Sequence, residues 1–119
     1  MNTQTIRRRV PLAALAIRGS HRARRHIERA ALIARQLDQI APGTGIVRTA
    51  PIWTDGSGAP RCSTWVELLT ADGRPVDADL DAHRAALGLI RRAHPGVDWT
   101  IPHTYDARSG RLTTAPAAR

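Results

Sequence analysis

The sequence has no lysine, no phenylalanine and a single cysteine among its 119 residues. One cysteine excludes an intrachain disulfide and any zinc site built from several thiolates. Three Trp and one Tyr are the only large aromatic residues, so the core must consist mainly of Ala, Leu, Ile and Val. No apolar run approaches the roughly 18 residues that a membrane span requires, and we expect no membrane partner.

The length corresponds to one domain, because nothing in the middle of the chain resembles a linker between two cores. We expect a flexible basic arm at 1–9, a single α+β domain over 10–115 and a frayed tail at 116–119. The lone thiol is compatible with a reducing compartment, and we expect a cytoplasmic protein.

An apolar run at 10–17 follows three consecutive arginines at 7–9. This order resembles a minimal secretory signal, with the Ala-Leu-Ala sequence at 14–16 as a cleavage box. The run is only eight residues long, however, and further arginines follow from Arg18 onward. We therefore predict that residues 10–18 form a short buried strand.

Two amphipathic helices are predicted, the first from an N-cap at Ser20 to the breaker Pro42-Gly43-Thr44-Gly45 and the second over about 78–94. The second helix has aspartates at its start and arginines at its end, as the helix dipole favours. The residues expected to face the core are Ile27, Ala30, Ala34, Leu37 and Ala41 in the first helix and Leu80, Leu87 and Ile90 in the second.

Residues 46–53 and 61–70 are predicted to form a hairpin, in which Pro51 indicates an edge strand or a bulge. The alternation over 97–101 predicts another strand. Residues 106–110 resemble a hairpin loop, from which a strand at 111–115 could return.

This order of elements predicts a ferredoxin-like split β-α-β fold (βαββαβ, with an optional C-terminal strand), in which two helices cover one face of an antiparallel sheet. The first strand decides the topology. If residues 10–18 are helical instead, the fold becomes an α+β sandwich with a helical N-terminus.

The net charge of +8 is distributed unevenly. Residues 1–29 hold eight arginines and one acid, a net charge of +7, whereas residues 30–119 have a net charge of only +1. A basic segment at one end of a domain is typical of proteins that bind DNA or RNA through phosphates. The predicted nucleic-acid-binding residues are Arg7, Arg8, Arg9, Arg18, Arg22, Arg24, Arg25 and Arg29.

The same arginines could instead form an inert solubilising surface or contact an acidic protein partner. The alternative function is a protein–protein interaction or assembly module, as a homodimer or a subunit of a larger complex, without catalytic activity. An uncovered sheet face bearing Trp would favour that alternative. A small enzyme is the third and weakest hypothesis, because no pair of titratable groups is placed together by the sequence alone.

No catalytic, metal or cofactor site is predicted. His103, Tyr105 and Asp106 lie close together in the sequence beside the last loop, where they could serve acid–base chemistry. They could equally lie at a strand end without a chemical role, with Asp106 accepting a hydrogen bond from the backbone of its own turn. Structural roles are predicted for His83 and His94 on the second helix, for Cys62 as a buried thiol, and for Asp77, Asp79 and Asp81 at a helix start.

The three tryptophans, Trp53, Trp65 and Trp99, are expected mainly in the core, although one or two of them could stack on bases.

Overall fold

The computed structural model of the protein describes residues 12–56 and 58–114. Two helices and four strands alternate in the order helix, two strands, helix, two strands. Their bounds are α1 Leu12–Ile40, β1 Ile46–Thr54, β2 Arg61–Leu69, α2 Leu80–Ala93, β3 His103–Asp106 and β4 Arg111–Thr114. The α+β class with two helices and an antiparallel sheet is confirmed, whereas the ferredoxin-like βαββαβ order is wrong.

The error lies in the first element. Residues 12–18, predicted as part of a strand at 10–18, are the first two turns of α1, and Ser20 lies inside the helix rather than at its cap. The Leu-Ala-Ala-Leu-Ala segment consists of the strongest helix formers. Gly19 costs a helix only about 1 kcal/mol relative to Ala, which is too little to end it here. The fold is therefore the α+β arrangement with a helical N-terminus.

The sheet has the strand order β2-β1-β3-β4, and every neighbouring pair is antiparallel. β1 pairs with β2 along its whole length but with β3 only over Ile46–Thr49. Pro51 therefore lies where β1 has a neighbour on one side only, so the prediction of an edge position is confirmed locally.

One face of the sheet packs against the second half of α1 and against α2. The core cluster combines side chains of both helices with those that alternate onto this face of the strands. Its largest fully buried side chains are Leu37, Val47, Leu68, Ile90 and Tyr105. The opposite face carries Arg48, Trp65, Glu67 and Thr104, and no described helix covers it.

Two residues expected in the core are exposed, Ile27 at 65% and Leu80 at 63%. Ile27 lies near the middle of α1, before burial begins at Ala30, and Leu80 is the first residue of α2, where it lines an open cavity between α2 and β2. The strand predicted at 97–101 is also wrong, because a turn occupies this segment and Asp98 accepts a bond from the backbone N–H of Thr100 at 3.0 Å. Periodicity alone does not show where a packing partner ends.

Candidate nucleic-acid interface

The predicted arginines of α1 lie on a part of the helix in which every residue is exposed. Every residue from Ala16 to Arg29 is exposed, and burial begins only at Ala30. We call residues 16–29 the basic helix half. It contains Arg18, Arg22, Arg24, Arg25 and Arg29, whereas the predicted residues Arg7, Arg8 and Arg9 lie outside the described part of the chain.

Four of the five arginines fall on one side of the helix. Arg18, Arg22, Arg25 and Arg29 are separated by four, three and four residues, which is the spacing of a single helical face. At 1.5 Å per residue, this arginine line extends about 16 Å along the helix. Arg24 lies on another side. The line thus presents one guanidinium per turn in one direction.

The charge of the arginine line is not balanced within the described structure. The ion pairs among the described residues are Arg48–Glu67 at 3.5 Å and Arg74–Asp72 at 2.9 Å, and neither involves α1. The only acidic residue between Leu12 and Arg29 is Glu28. An anionic partner would relieve the repulsion between these neighbouring arginines.

A cavity of about 540 Å³ lies at the base of the basic helix half, between α1, the end of α2 and the β3–β4 hairpin. His26, Arg29, His94 and Arg111 line it together with the ring of Tyr105. The Nε2 atom of His26 lies 3.0 Å from the carbonyl oxygen of Ser109, and as an N–H it donates to that carbonyl. The arginine line therefore ends at a cavity that also contains the guanidinium of Arg111 and two imidazole rings, which sequence reasoning did not identify.

Gly110 makes the approach of this hairpin to α1 possible. Its φ of +71° is left-handed, and a Cβ there would lie 2.5 Å from the Cβ of Ala30. The prediction of a hairpin loop at 106–110 is confirmed, with Gly110 in the left-handed conformation.

His103, Tyr105 and Asp106 do not form a joint site. His103 and Tyr105 point into the core, where the His103 Nδ1 and Tyr105 hydroxyl groups have no hydrogen-bond partner among the described residues. Asp106 alternates onto the opposite face, and its Oδ1 accepts a bond from the backbone N–H of Arg108 at 2.9 Å. Burial, and secondarily the charge of Asp106, raise the pKa of Tyr105.

The remaining histidines bond to helix backbone. His83 Nδ1 lies 2.7 Å from the Asp79 carbonyl, and His94 Nδ1 lies 3.0 Å from the Ile90 carbonyl. The ring of His94 also meets the edge of Tyr105, with centroids 5.5 Å apart. These contacts agree with the structural roles predicted for both side chains.

Asp79 caps α2, because its Oδ1 accepts a bond from the N–H of Ala82 at 2.8 Å. No group of three or more metal-ligating side chains occurs in the described ranges. Nor is any helix within 12–56 or 58–114 long and apolar enough to cross a membrane.

Three aromatic or thiol side chains depart from prediction. Cys62 is exposed rather than buried, because it lies near the projecting tip of the β1–β2 hairpin. Trp53 and Trp65, expected mainly in the core, are 61% and 55% exposed. Trp99 is partly buried against the core, with its ring 5.1 Å from that of His103. Strand alternation could have placed Trp65 opposite the apolar pair Val66 and Leu68.

No protein-family model, curated protein or solved structure matches this chain. Its function is therefore inferred from the arrangement of its own residues.

Proposed function

We propose that this protein binds DNA or RNA by placing the basic helix half against the phosphate backbone. The observation that carries the proposal is the arginine line, whose members form no ion pair with a described acidic side chain. Arginine suits this role because its planar fork can donate two hydrogen bonds to one phosphate. Arg7, Arg8 and Arg9 would extend the same contact.

The dimensions of the basic helix half support this proposal. A helix with its side chains is about 10–12 Å wide, and the major groove of B-DNA is about 12 Å wide. Every residue of 16–29 is exposed, and its contacts with the folded domain lie toward its C-terminal end, where His26 bonds to Ser109 and Arg29 lines the cavity, so the segment N-terminal to His26 can approach a groove. Phosphate contacts of this kind position a protein without reading sequence, so we expect little base preference.

The test compares two variants that lose the same charge. One replaces the arginine line by glutamine (Arg18, Arg22, Arg25 and Arg29), and the matched control replaces four exposed arginines of the folded part (Arg35, Arg84, Arg91 and Arg108). Glutamine has a helix propensity close to that of arginine, so neither change removes helix. Binding to duplex and single-stranded DNA and RNA is measured by fluorescence anisotropy across a salt series.

If four arginines each neutralise one phosphate of duplex DNA, the arginine line contributes a slope of about −4 to the plot of log K against log salt. We expect its removal to flatten the slope by that amount and to weaken binding to all sequences alike. The control should retain most of the slope. Equal losses in both variants would show only generic attraction to a basic protein and would contradict the proposal.

An assembly module is the second candidate function, because Trp53 and Trp65 are exposed on the sheet. Large aromatic residues are enriched at protein–protein interfaces and contribute strongly to binding. Static light scattering of the purified chain tests self-association, and a strictly monomeric chain would count against it.

A further inference from the structure

Among residues 12–56 and 58–114, the sheet has three stretches of unpaired edge, and they differ in how well they can pair with a further strand. β4 is only four residues long. The edge of β1 beyond Thr49 contains Pro51. The backbone N–H of Ala107 donates to the Gly45 carbonyl at 2.9 Å, which shows that the N–H and C=O groups of odd-numbered residues of β1 point toward the β3 side. Pro51 is one of these residues, and it has no N–H to donate to a further strand on that side. The outer edge of β2 has neither obstacle.

The hydrogen bonds of β2 show which of its residues face outward. Val76 donates to the Leu68 carbonyl at 2.9 Å from the side away from β1, and Pro75 bridges Leu69 on that side. Backbone groups alternate along an antiparallel strand. Cys62, Thr64 and Val66 therefore also direct their N–H and C=O groups outward, and segment 74–76 leaves them uncovered.

We propose that this edge pairs with the same edge of a second copy of the chain, in a twofold antiparallel arrangement centred on Thr64. This register is the symmetric one that uses all three free residues, because it sets Cys62 of one copy opposite Val66 of the other and Thr64 opposite Thr64. Each of the three residues on each copy then donates one backbone bond and accepts one. The two sheets become one continuous sheet.

The side chains of β2 are complementary in this register. On the uncovered face, Arg61 lies opposite Glu67 of the second copy, so two pairs of opposite charge form across the axis. Ser63 lies opposite Trp65 of the second copy, which brings the two exposed Trp65 rings within the diagonal reach of aromatic side chains. A shift of two residues would lose the charge pairs. The occupant that fits is therefore this chain itself.

The apolar surface beside the edge supports burial there. A cavity of about 540 Å³ runs between β2 and α2, and the exposed residues Leu80 and Trp65 line it. Monomeric proteins normally protect long edge strands with charges, prolines or bulges. The free part of β2 contains no proline and no inward-pointing charge.

The first experiment measures the oligomeric state by sedimentation equilibrium at protein concentrations up to about 0.2 mM. At that concentration a dimer with a dissociation constant of about 10 μM would be mostly assembled. We expect a dimer for the intact chain. Thr64→Pro removes an outward N–H from each copy without removing a bond to β1, and we expect the dissociation constant to rise at least about tenfold. Thr114→Pro is the matched control, since its N–H points outward from the opposite edge on β4.

A monomer throughout this range would overturn the proposal, as would an equal effect of both proline variants. A mixing experiment keeps the proposal testable if Thr64→Pro fails to fold. Arg61→Glu and Glu67→Arg should each disfavour self-pairing through repulsion, whereas an equimolar mixture should form a heterodimer in which both charge pairs are attractive. Loss of the Arg48–Glu67 ion pair cannot explain this recovery, because mixing does not restore it. Failure of the mixture to assemble would refute the register.

A disulfide tests the axis directly. Opposed residues of a bonded antiparallel pair have Cα atoms about 5.5 Å apart, within the disulfide range of about 4.4–6.8 Å. The Cys62→Ser, Thr64→Cys variant should therefore crosslink under mild oxidation. In the unsubstituted chain the two Cys62 positions are four residues apart along the strands, about 13 Å, and should not crosslink. Crosslinking through Cys62 but not through position 64 would overturn the proposal.

Discussion

Gly19 offers a direct way to strengthen the basic helix half without touching the folded part of the protein. It lies in the interior of α1, and a Cβ at this position would meet no atom within 4 Å. Gly19→Ala therefore changes helix propensity and no described contact. The difference is about 1 kcal/mol, which is about a fivefold change in the local equilibrium between helix and coil.

The basic helix half is a segment in which such a change should be visible. It gains little support from packing, since none of its side chains is buried and its bond to the folded part, from His26 to Ser109, lies near its C-terminal end. The charge interactions between its side chains give it little net stabilisation. The three neighbouring arginine pairs along the arginine line repel each other, and the attraction of Glu28 for Arg24 and Arg25 offsets only part of this repulsion. A solvated helix of this length is marginal in water. We expect it to open far more often than the packed half of α1.

Helix opening also limits the affinity for nucleic acid, provided that the helical state is the one that binds. The apparent dissociation constant equals the intrinsic value divided by the fraction of molecules in the competent state. Gly19→Ala should therefore strengthen binding by up to about fivefold. This gain in affinity should become smaller as the helical fraction of the unsubstituted segment increases, and it should vanish if that segment is already fully helical.

Hydrogen exchange and fluorescence anisotropy together test this chain of reasoning. We expect amides 16–29 to gain about fivefold in protection while the unfolding midpoint of the domain stays constant. The control is Gly88→Ala in α2, where the new methyl group meets only the end of the Arg92 side chain, at 3.2 Å. It should change domain stability without changing protection at 16–29. Higher protection with weaker binding would refute the idea that the helical form binds nucleic acid.

Two further predictions concern the folded part. Gly110→Ala should lower the free energy of unfolding by about 2–3 kcal/mol, because backbone strain at a φ of +71° adds to the overlap of the new methyl group with Ala30. The control is Gly96→Ala, where φ is +84° and the new methyl group meets no atom within 4 Å, and it should cost only about 1–2 kcal/mol. Equal losses in urea denaturation would exclude a contribution from the overlap. Burial, and secondarily Asp106, raise the pKa of Tyr105 above its ordinary value of 10.0, so folding favours the neutral phenol and this contribution to stability is lost as pH rises through the raised pKa. Tyr105→Phe should therefore flatten the fall in the urea midpoint above pH 10, and an unchanged fall would contradict this reasoning.

The elements with local signals were predicted well. The hairpin at 46–53 and 61–70 differs from the structure by one residue at one end of each strand, because two β-rich runs flank an evident turn. The second helix, predicted over about 78–94, occupies Leu80–Ala93 and begins at an aspartate cap. These features depend on neighbouring residues, so the sequence contains the information that specifies them.

The errors in the first helix and the missed cavity concern information that is not local. Residues 12–18 have both the apolar content of a buried strand and the propensity of a helix, and Gly19 resembles a boundary although the helix continues through it. Ile27 has the correct periodicity for a core residue but lies beyond the packing region. The cavity containing His26, His94 and Arg111 combines three elements distant in sequence, so no local pattern could have indicated it.

The wrong first element is also the one on which the functional proposal depends. A buried strand at 10–18 would have placed Arg18 at a strand end and confined the following arginines to a helix packed along its whole length. As a helix, the same residues continue α1 away from the sheet, and each residue of 16–29 is exposed. A dimer through β2 would carry two such helices, and linking two weak phosphate contacts raises the apparent affinity through effective concentration. The two proposals nevertheless depend on separate residues, because the arginine line is on α1 and the free edge is on β2. Loss of one property in a variant therefore need not imply loss of the other.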